Sequence, residues 1–487
     1  MCGINGLIYK TPLIDIYSKI NLMNNMITHR GPDDDGIYTF DNCVAMGMRR
    51  LSIIDLSNGN QPMHNDAGDI VIVFNGEIYN YKVLKAELES SGTKFNTQSD
   101  TEVILRLYEK YGSNMLNKLN GMFAFSIHDK RKNQIFIARD RFGEKPLYYH
   151  YSNDKFVWAS ELKSIVTVFP ELIQISHHAL TLYFSLTYIP APYSIYNDVF
   201  KLLPGHFLTI NTQTFEKEVF EYWDINPTTE VDAGITYNAA QMQISDLLTE
   251  SVEQRMIADV PLGVFLSGGV DSTIIAAIMA NLSGQKIKTF SVGYENKRYD
   301  ESVRAKQIAN HIGSEHHEYM LDYTHLLDKI DEIVINYDEP YADSSCLPTW
   351  FISSKTVQHV KVALTGDGGD EVFGGYNKYM LPSYRKKVKK YVPEFLDPIL
   401  TSSTINKFLS RGDSKSILSK IRKVVNLLNE DTVSGHLGLM ALGFRQQELN
   451  ELLNTNTDFK LLLKSNTSKI DISGDELKQL RYLDKQI

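Results

Sequence analysis

The sequence predicts two folded halves in one chain, a layered α+β domain followed by an α/β domain on a parallel sheet. Three observations carry that expectation. Over the first 210 or so residues, short β-rich segments mix with amphipathic helices in no regular alternation, which suits stacked layers better than a doubly wound sheet. From residue 260 onward, apolar runs and helical segments alternate as strand–loop–helix units, the pattern of a parallel sheet with ligands at its carboxyl edge. Between the two, INPTTEVDAGITYNAAQ (225–241) is polar and turn-rich. The expected division is residues 2–210, a linker at 211–238, and residues 239–487.

In order, the strand candidates of the first half are Cys2–Tyr9, Asp69–Asn75, Met122–Asp129, Gln134–Asp140, Phe156–Ser160 and His206–Ile210. They are rich in β-branched and aromatic residues and are separated by Gly, Asn or Pro turns. Helices are expected at Ile16–Ile27, Tyr81–Ser90 and Thr101–Tyr111, the last with Asp100 as its N-cap. The second half opens with a helix at Ala240–Met256, then VPLGVFLS (260–267) as a buried strand and a helix at Thr273–Leu282. KIKTFSVGY (286–294) and VKVALTG (360–366) are further strands, with helices Glu301–Ile312, Tyr323–Ile335 and Leu347–His359 between them. Beyond 395 the pattern is helical, as in Ile417–Leu428 and Asp475–Leu483.

Composition excludes several classes. Of 487 residues, 43% are apolar and 11% aromatic, so general disorder is ruled out. Acids outnumber bases 59 to 50 for a net charge of −9, which argues against nucleic-acid or anionic-lipid partners. Three cysteines cannot staple a secreted chain of this length, and Cys43 and Cys346 are expected to be small buried residues. No uninterrupted apolar run approaches about 18 residues, so no membrane span is expected. In MCGINGLIYK the lysine follows the apolar run, the wrong order for a signal peptide, and the expected compartment is the cytoplasm. RKKVKK (385–390) suits a solvated helix face, and His311, His316 and His317 match no metal spacing and are expected at the surface.

Cys2 stands apart because it follows Met1 directly. Removal of the initiator would leave a cysteine with both a thiol and an α-amine, an arrangement in which the amine serves as base for the nucleophile. In the second half, LSGGVDST (266–273) sits where a strand hands over to a helix. Gly268 and Gly269 let backbone approach a phosphate, Ser267 and Ser272 add hydroxyls, and Asp271 can hold magnesium. The loop lacks the Gly-Lys-Ser ending of a Walker A motif and instead resembles the pyrophosphate loop of ATP pyrophosphatases. TGDGGDEVFGGY (365–376) is a second glycine-rich, acidic loop after a strand, and its Asp370 can supply a second carboxylate to Mg2+.

The motifs of the first half are MCGINGL, HRGPDDDG (29–36), RLSIIDL (50–56), FNGEIYN (74–80), SDTE (99–102), GMFAF (121–125), RDRFGEKPLYY (139–149) and ASELKSI (159–165). In that order they resemble the glutaminase domain of glutamine-hydrolysing asparagine synthetases. YDES (299–302), HIGSEHHEYML (311–321), DEPYADSSCLPTW (338–350) and the two glycine-rich loops resemble the synthetase domain of the same family. The resemblance implies an αββα sandwich of the N-terminal-nucleophile hydrolase type, with Cys2 at the end of a central strand. It further implies an α/β parallel-sheet ATP-pyrophosphatase domain with an added helical C-terminal region.

By the same resemblance, Cys2 attacks the side-chain amide of glutamine and Asn75 and Gly76 form the oxyanion hole. Arg50 would grip the substrate carboxylate and Asp100 its ammonium, with Glu77 and backbone around Ile53 as further contacts. Arg49 adjoins Arg50, so the assignment could slip by one. Leu266 and Val292 would touch adenine, Thr365 and Gly366 the ribose side, and Asp367 the adenylation step, where many relatives carry Glu.

The implied substrates are glutamine, aspartate and ATP, with Mg2+, and the implied assembly can be a homodimer. Aspartate would become β-aspartyl-AMP and then asparagine, and because ammonia must be sealed from water the halves are expected to share an apolar interface. Two alternatives stay open: an amidotransferase acting on another carboxylate, such as a sugar acid or peptide, and a paralogue with glutaminase activity alone. Relatives continue beyond YLDKQI (482–487) into further helices with a lysine for the departing pyrophosphate. Against them the chain reads as truncated, so weak or absent synthetase activity is expected from it as it stands.

Overall fold

The computed structural model describes residues 1–225, 234–380, 443–444 and 446–454. RKKVKK, Ile417–Leu428, Asp475–Leu483 and the chain end at 482–487 lie outside them. In chain order the first elements are β1 (Gly3–Tyr9), α1 (Ile16–Met26), β2 (Asp34–Phe40), β3 (Val44–Arg50), β4 (Met63–His64) and β5 (Ile70–Ile78). Next come α2 (Tyr81–Ser90), α3 (Asp100–Tyr111), β6 (Gly121–Asp129), β7 (Gln134–Arg139), β8 (Tyr148–Tyr151) and β9 (Lys155–Ala159). Then follow α4 (Leu162–Val168), α5 (His177–Leu186), β10 (Phe200–Lys201), β11 (His206–Asn211) and β12 (Lys217–Glu221).

These strands form two six-stranded sheets, β10-β8-β9-β1-β3-β2 and β12-β11-β7-β6-β5-β4, with antiparallel pairing throughout. Side-chain period two divides each strand between two faces. On β5, Val71 and Val73 meet Ile4, Ile8, Met46 and Met48 of the other sheet in a shared core, while Ile70, Ile72 and Phe74 pack under α2 and α3. Helices α1 and α4 cover the outer face of the first sheet. The layers are therefore αββα, as expected. Trp158 on β9 is fully buried between the sheets.

The second half contributes α6 (Tyr237–Arg255), β13 (Leu262–Phe265), α7 (Val270–Leu282), β14 (Lys288–Gly293), α8 (Ser302–Ile312) and β15 (Glu315–Met320). It continues with α9 (Tyr323–Leu327), α10 (Ile330–Asn336), α11 (Cys346–Thr356), β16 (Val362–Leu364) and α12 (Gly369–Phe373). Four strands pair in parallel in the order β15-β14-β13-β16. The chain divides into two compact units: Met1–Ala179 with Ile189–Asp224 and Asp232–Gly366, and Leu180–Tyr188 with Ile225–Val231 and Asp367–Ile487. Sandwich and parallel sheet thus share the first unit, and the acidic loop from Asp367 onward belongs to the second.

Several expectations are corrected. β12 occupies Lys217–Glu221 inside the expected linker, because it pairs with β11 and so completes the second sheet. The helix expected over 323–335 is broken into α9 and α10. EHHEYM forms β15, where His316 bonds Thr289 and Ser291 and His317 stacks on Phe290, so both histidines are half-buried rather than surface groups. Cys43 and Cys346 are half-buried, not buried. Polar contacts cross the junction of sandwich and parallel sheet, and Ile257 packs against the sandwich core. Asp55 N–H donates to Asp259 (2.8 Å), Lys361 pairs with Asp33 (2.8 Å) and Lys163 with Asp338 (2.9 Å).

Candidate active site

Cys2 immediately precedes β1, a strand flanked by β9 and β3. It lies on the same face as Ile4 and Ile8, at the open end of the layer between the sheets. Asn75 continues the Val71–Val73 face of β5 and therefore points into that layer from the opposite sheet. Met1, Cys2, Arg50, Ile53, Asn75, Gly76, Glu77 and Asp100 all line one cleft. The sequence-predicted glutamine site is brought together in full.

Each group has a local cause for its position. Leu51 N–H donates to Cys2 Sγ (3.3 Å), and Arg30 Nε donates to the Cys2 carbonyl (2.9 Å). Arg50 ends β3 with its guanidinium bonded to the carbonyls of Ile54 (3.1 Å) and Asp55 (2.7 Å) and to Asn60 Oδ1 (3.0 Å). Arg49 instead bonds Asn24 and Asn25, and of the two arginines only Arg50 is among the residues lining this cleft. Gly76 lies opposite Phe123 on β6, where a Cβ would stand 2.1 Å from the Met122 carbonyl, so only glycine allows the close pairing that holds its N–H in place.

The Asn75 side chain is 1% exposed, and both its Oδ1 and Nδ2 lack a hydrogen-bond partner. Burying an amide with both ends unsatisfied costs a few kcal/mol, so such a group in a cleft wall is a donor and acceptor waiting for a ligand.

Electrostatics sharpen the picture. Burial pushes the Cys2 thiol up, so the sulfur needs a base to become a nucleophile. Burial lowers the chain's terminal amine to about 6, leaving it largely neutral at pH 7. Burial also raises Asp100 to about 6, against N–H donors from Ile78 and Thr101, and Glu77 to about 7, with the nearby Asp100 adding to the rise.

The expected N-cap is corrected here. Ser99, extended at ψ 142°, accepts from Thr101 N–H and caps α3, while Asp100 Oδ2 accepts from Ile78 N–H (3.0 Å) in the cleft wall. Two adjacent cap-forming residues divide the work, and the carboxylate is left to the cleft.

The second candidate site follows β13. Ser267 N–H and Oγ both bond Ser272 Oγ (3.2 and 2.9 Å), and Gly269 N–H bonds Ser267 Oγ (3.2 Å). Gly268 adopts φ +84°, a left-handed turn that starts α7 three residues earlier than expected and aims its first amides out of the sheet edge. Gly366, just past β16, lies against the Ser272 amide. Leu266 is corrected in part: its side chain is buried in the core with Val264 and Ala276, so only its main chain can face an adenine. Val292 is half-buried at the end of β14. Asp271 lies in the first turn of α7, while Asp367 is exposed and Asp370 half-buried in the second unit.

Comparison with known proteins now decides the family. Residues 1–223 match the glutamine amidotransferase domain and residues 243–469 the asparagine synthase domain. A protein of Methanocaldococcus jannaschii, provisionally named a glutamine-hydrolyzing asparagine synthetase, is 40% identical over 88% of this chain and 86% of its own length. The chain belongs to the glutamine-hydrolysing asparagine synthetase family. Glutamine-hydrolyzing asparagine synthetase 1 of Bacillus subtilis is also 40% identical, over 82% of this chain, which spans only 62% of that relative's length. Glutamine phosphoribosylpyrophosphate amidotransferase from B. subtilis has a TM-score of 0.37 at 16% identity over 71% of this chain and 95% of its own, too distant to add weight.

Within this family frame the cleft holds residues that the sequence reading did not single out. Lys145 is buried in its wall with Nζ 3.0 Å from Met1 Sδ, and burial lowers its pKa. It lies inside RDRFGEKPLYY, so the motif was visible but not its reach. Gln61 also lines the cleft, accepting from Phe74 N–H (2.6 Å) and donating to Thr101 Oγ1 (3.1 Å). No spacing rule in the sequence marks it.

Proposed function

We infer that the chain hydrolyses glutamine at Cys2 and uses the ammonia for ATP-dependent amidation of L-aspartate to L-asparagine. The observation that carries this reading is the unpartnered Asn75 amide facing the cleft that also holds Cys2. Once Met1 is removed, the α-amine belongs to Cys2 and takes the thiol proton, and sulfur attacks the glutamine amide carbon. The developing oxyanion is held by Asn75 Nδ2 and Gly76 N–H, and the ammonium returns its proton as ammonia leaves. Water then cleaves the γ-glutamyl thioester to glutamate, restoring the thiol. Arg50 takes the substrate carboxylate; Asp100 and Glu77 take the ammonium.

In the synthetase half, a carboxylate oxygen of aspartate displaces pyrophosphate from the ATP α-phosphorus to give β-aspartyl-AMP. Ammonia then attacks the acyl carbon, AMP leaves, and a proton is lost. Activation is required because ammonia and a carboxylate otherwise only form a salt. The Ser267–Ser272 loop and the first amides of α7 suit the pyrophosphate oxygens. Asp271 in the first unit and Asp370 in the second are the carboxylates that would hold a hard divalent ion such as Mg2+, which would neutralise phosphate charge. Thr365, Gly366 and Val292 would border the nucleoside, and Asp367 the adenylation step.

The test is direct. The chain is incubated with ATP, Mg2+, glutamine and a panel of carboxylates, and AMP is measured. AMP formed with aspartate and not with sugar acids or peptide carboxylates is expected; preference for another carboxylate overturns the acceptor assignment.

A further inference from the structure

A hydrogen bond followed by ion pairs runs from the Cys2 main chain to the far side of the domain junction, all within the first compact unit. Arg30 Nε donates to the Cys2 carbonyl (2.9 Å), and its Nη1 donates to Glu161 Oε1 (2.9 Å). Lys163 Nζ bridges Glu161 Oε2 (2.6 Å) and Asp338 Oδ1 (2.9 Å), while its backbone N–H donates to Asp338 Oδ2 (3.2 Å). These side chains are 5–15% exposed. Screening by water is weak at such exposure, and each removed partner leaves a buried charge behind. Burial alone would raise Glu161, yet His29, Lys163 and Arg30 together pull it down to about 2.

The far end of the line has a defined place. Asp338 is held at φ +62°, a strained conformation that persists where surrounding contacts over-determine it. It begins the turn that leads into α11, and Leu347 and Trp350 of that helix pack with Val292 and Tyr294 at the carboxyl end of β14. That is the ligand edge of the parallel sheet. Glu339, the next residue, pairs with Lys201 of the sandwich.

We propose that Lys163 is a positioning residue that couples Cys2, through Arg30 and Glu161, to the turn at Asp338 beside the acceptor and nucleotide edge. The proposal rests on the glutaminase reading above. It makes the set of the Cys2 main chain depend on a residue of the synthetase half, so occupancy of that half is felt at the thiol.

Glutamine hydrolysis without ATP is measured in the full chain for Lys163→Met, Asp338→Asn and the double variant, with Lys163→Arg as rescue. Lys201→Met, which breaks the neighbouring pair to Glu339 without touching the Arg30–Glu161–Lys163–Asp338 contacts, is the control. Each single change should lower kcat about tenfold with KM for glutamine unmoved, since small displacements of a nucleophile are costly in rate. The double variant should be no slower than the slower single, because both changes cut one line. Lys163→Arg should recover most of the loss, and Lys201→Met should match the unaltered chain. Unchanged kcat per folded molecule in the singles, losses that multiply in the double variant, or an equal loss in Lys201→Met overturns the proposal. Alkylation of Cys2 by iodoacetamide in the same variants reads the same line without turnover. An unaltered chain that hydrolyses no glutamine therefore counts against the functional reading, while the alkylation rates still decide on Lys163.

Discussion

On the proposed reading, Asp100 serves substrate binding at the expense of stability. Its carboxyl is buried and raised to about 6, so the folded chain binds a proton between its unfolded value near 4 and pH 6 that the unfolded chain does not. Its stabilising contribution is present below the unfolded value and lost as pH rises through 6; at neutral pH the ionised group weighs against folding. Asp100→Asn should therefore raise stability at pH 7.5 by about 2 kcal/mol, a gain that disappears near pH 4, as read by denaturant unfolding at both pH values. The same change should raise KM for glutamine by about 30-fold, since a charged hydrogen bond is worth about 2 kcal/mol. In the unaltered chain, KM should climb as pH falls below about 6. A flat KM between pH 5 and 8 would remove Asp100 from ammonium binding.

At the scale of elements, Asp140 organises the approach to the cleft. Its carboxylate accepts N–H bonds from Phe123 (3.2 Å), Phe142 (3.0 Å), Glu144 (2.9 Å) and Lys145 (3.0 Å), fixing the loop that delivers Lys145. Asp140→Ala strands those donors and should cost about 3 kcal/mol in unfolding free energy; a loss below about 0.5 kcal/mol would contradict the role. Elements with strong periodicity were legible in the sequence: β5, β6, β7 and α2 fall within a few residues of their expected bounds. β3 was not, although it carries Arg50. VAMGMRR is buried on both faces and has Gly47 against Asn24, so it shows neither alternation nor β-branched enrichment. β15 was hidden for the opposite reason, since EHHEYM is polar at nearly every position of an edge strand. The motifs of the proposed glutamine site survived these gaps because Cys2, Arg50 and Asp100 lie at strand ends and a helix start, where side-chain type is less constrained by packing. Gln61 and the Lys163–Asp338 pair depend on contacts between distant segments, which no local pattern encodes.

For the whole molecule, the junction matters more than either half. Sandwich and parallel sheet share one compact unit with charged and hydrogen-bonded contacts between them, and those contacts should weaken with salt. The central claim is that one half makes ammonia and the other consumes it, with Cys2 as the only source of nucleophile from glutamine. It is tested most directly by Cys2→Ala in the full chain with ATP, Mg2+ and aspartate, comparing asparagine formed from glutamine with that formed from added ammonium. The account predicts no asparagine from glutamine and unaltered synthesis from ammonium; glutamine-dependent synthesis that survives the substitution, or ammonium-dependent synthesis that is lost with it, would contradict the account.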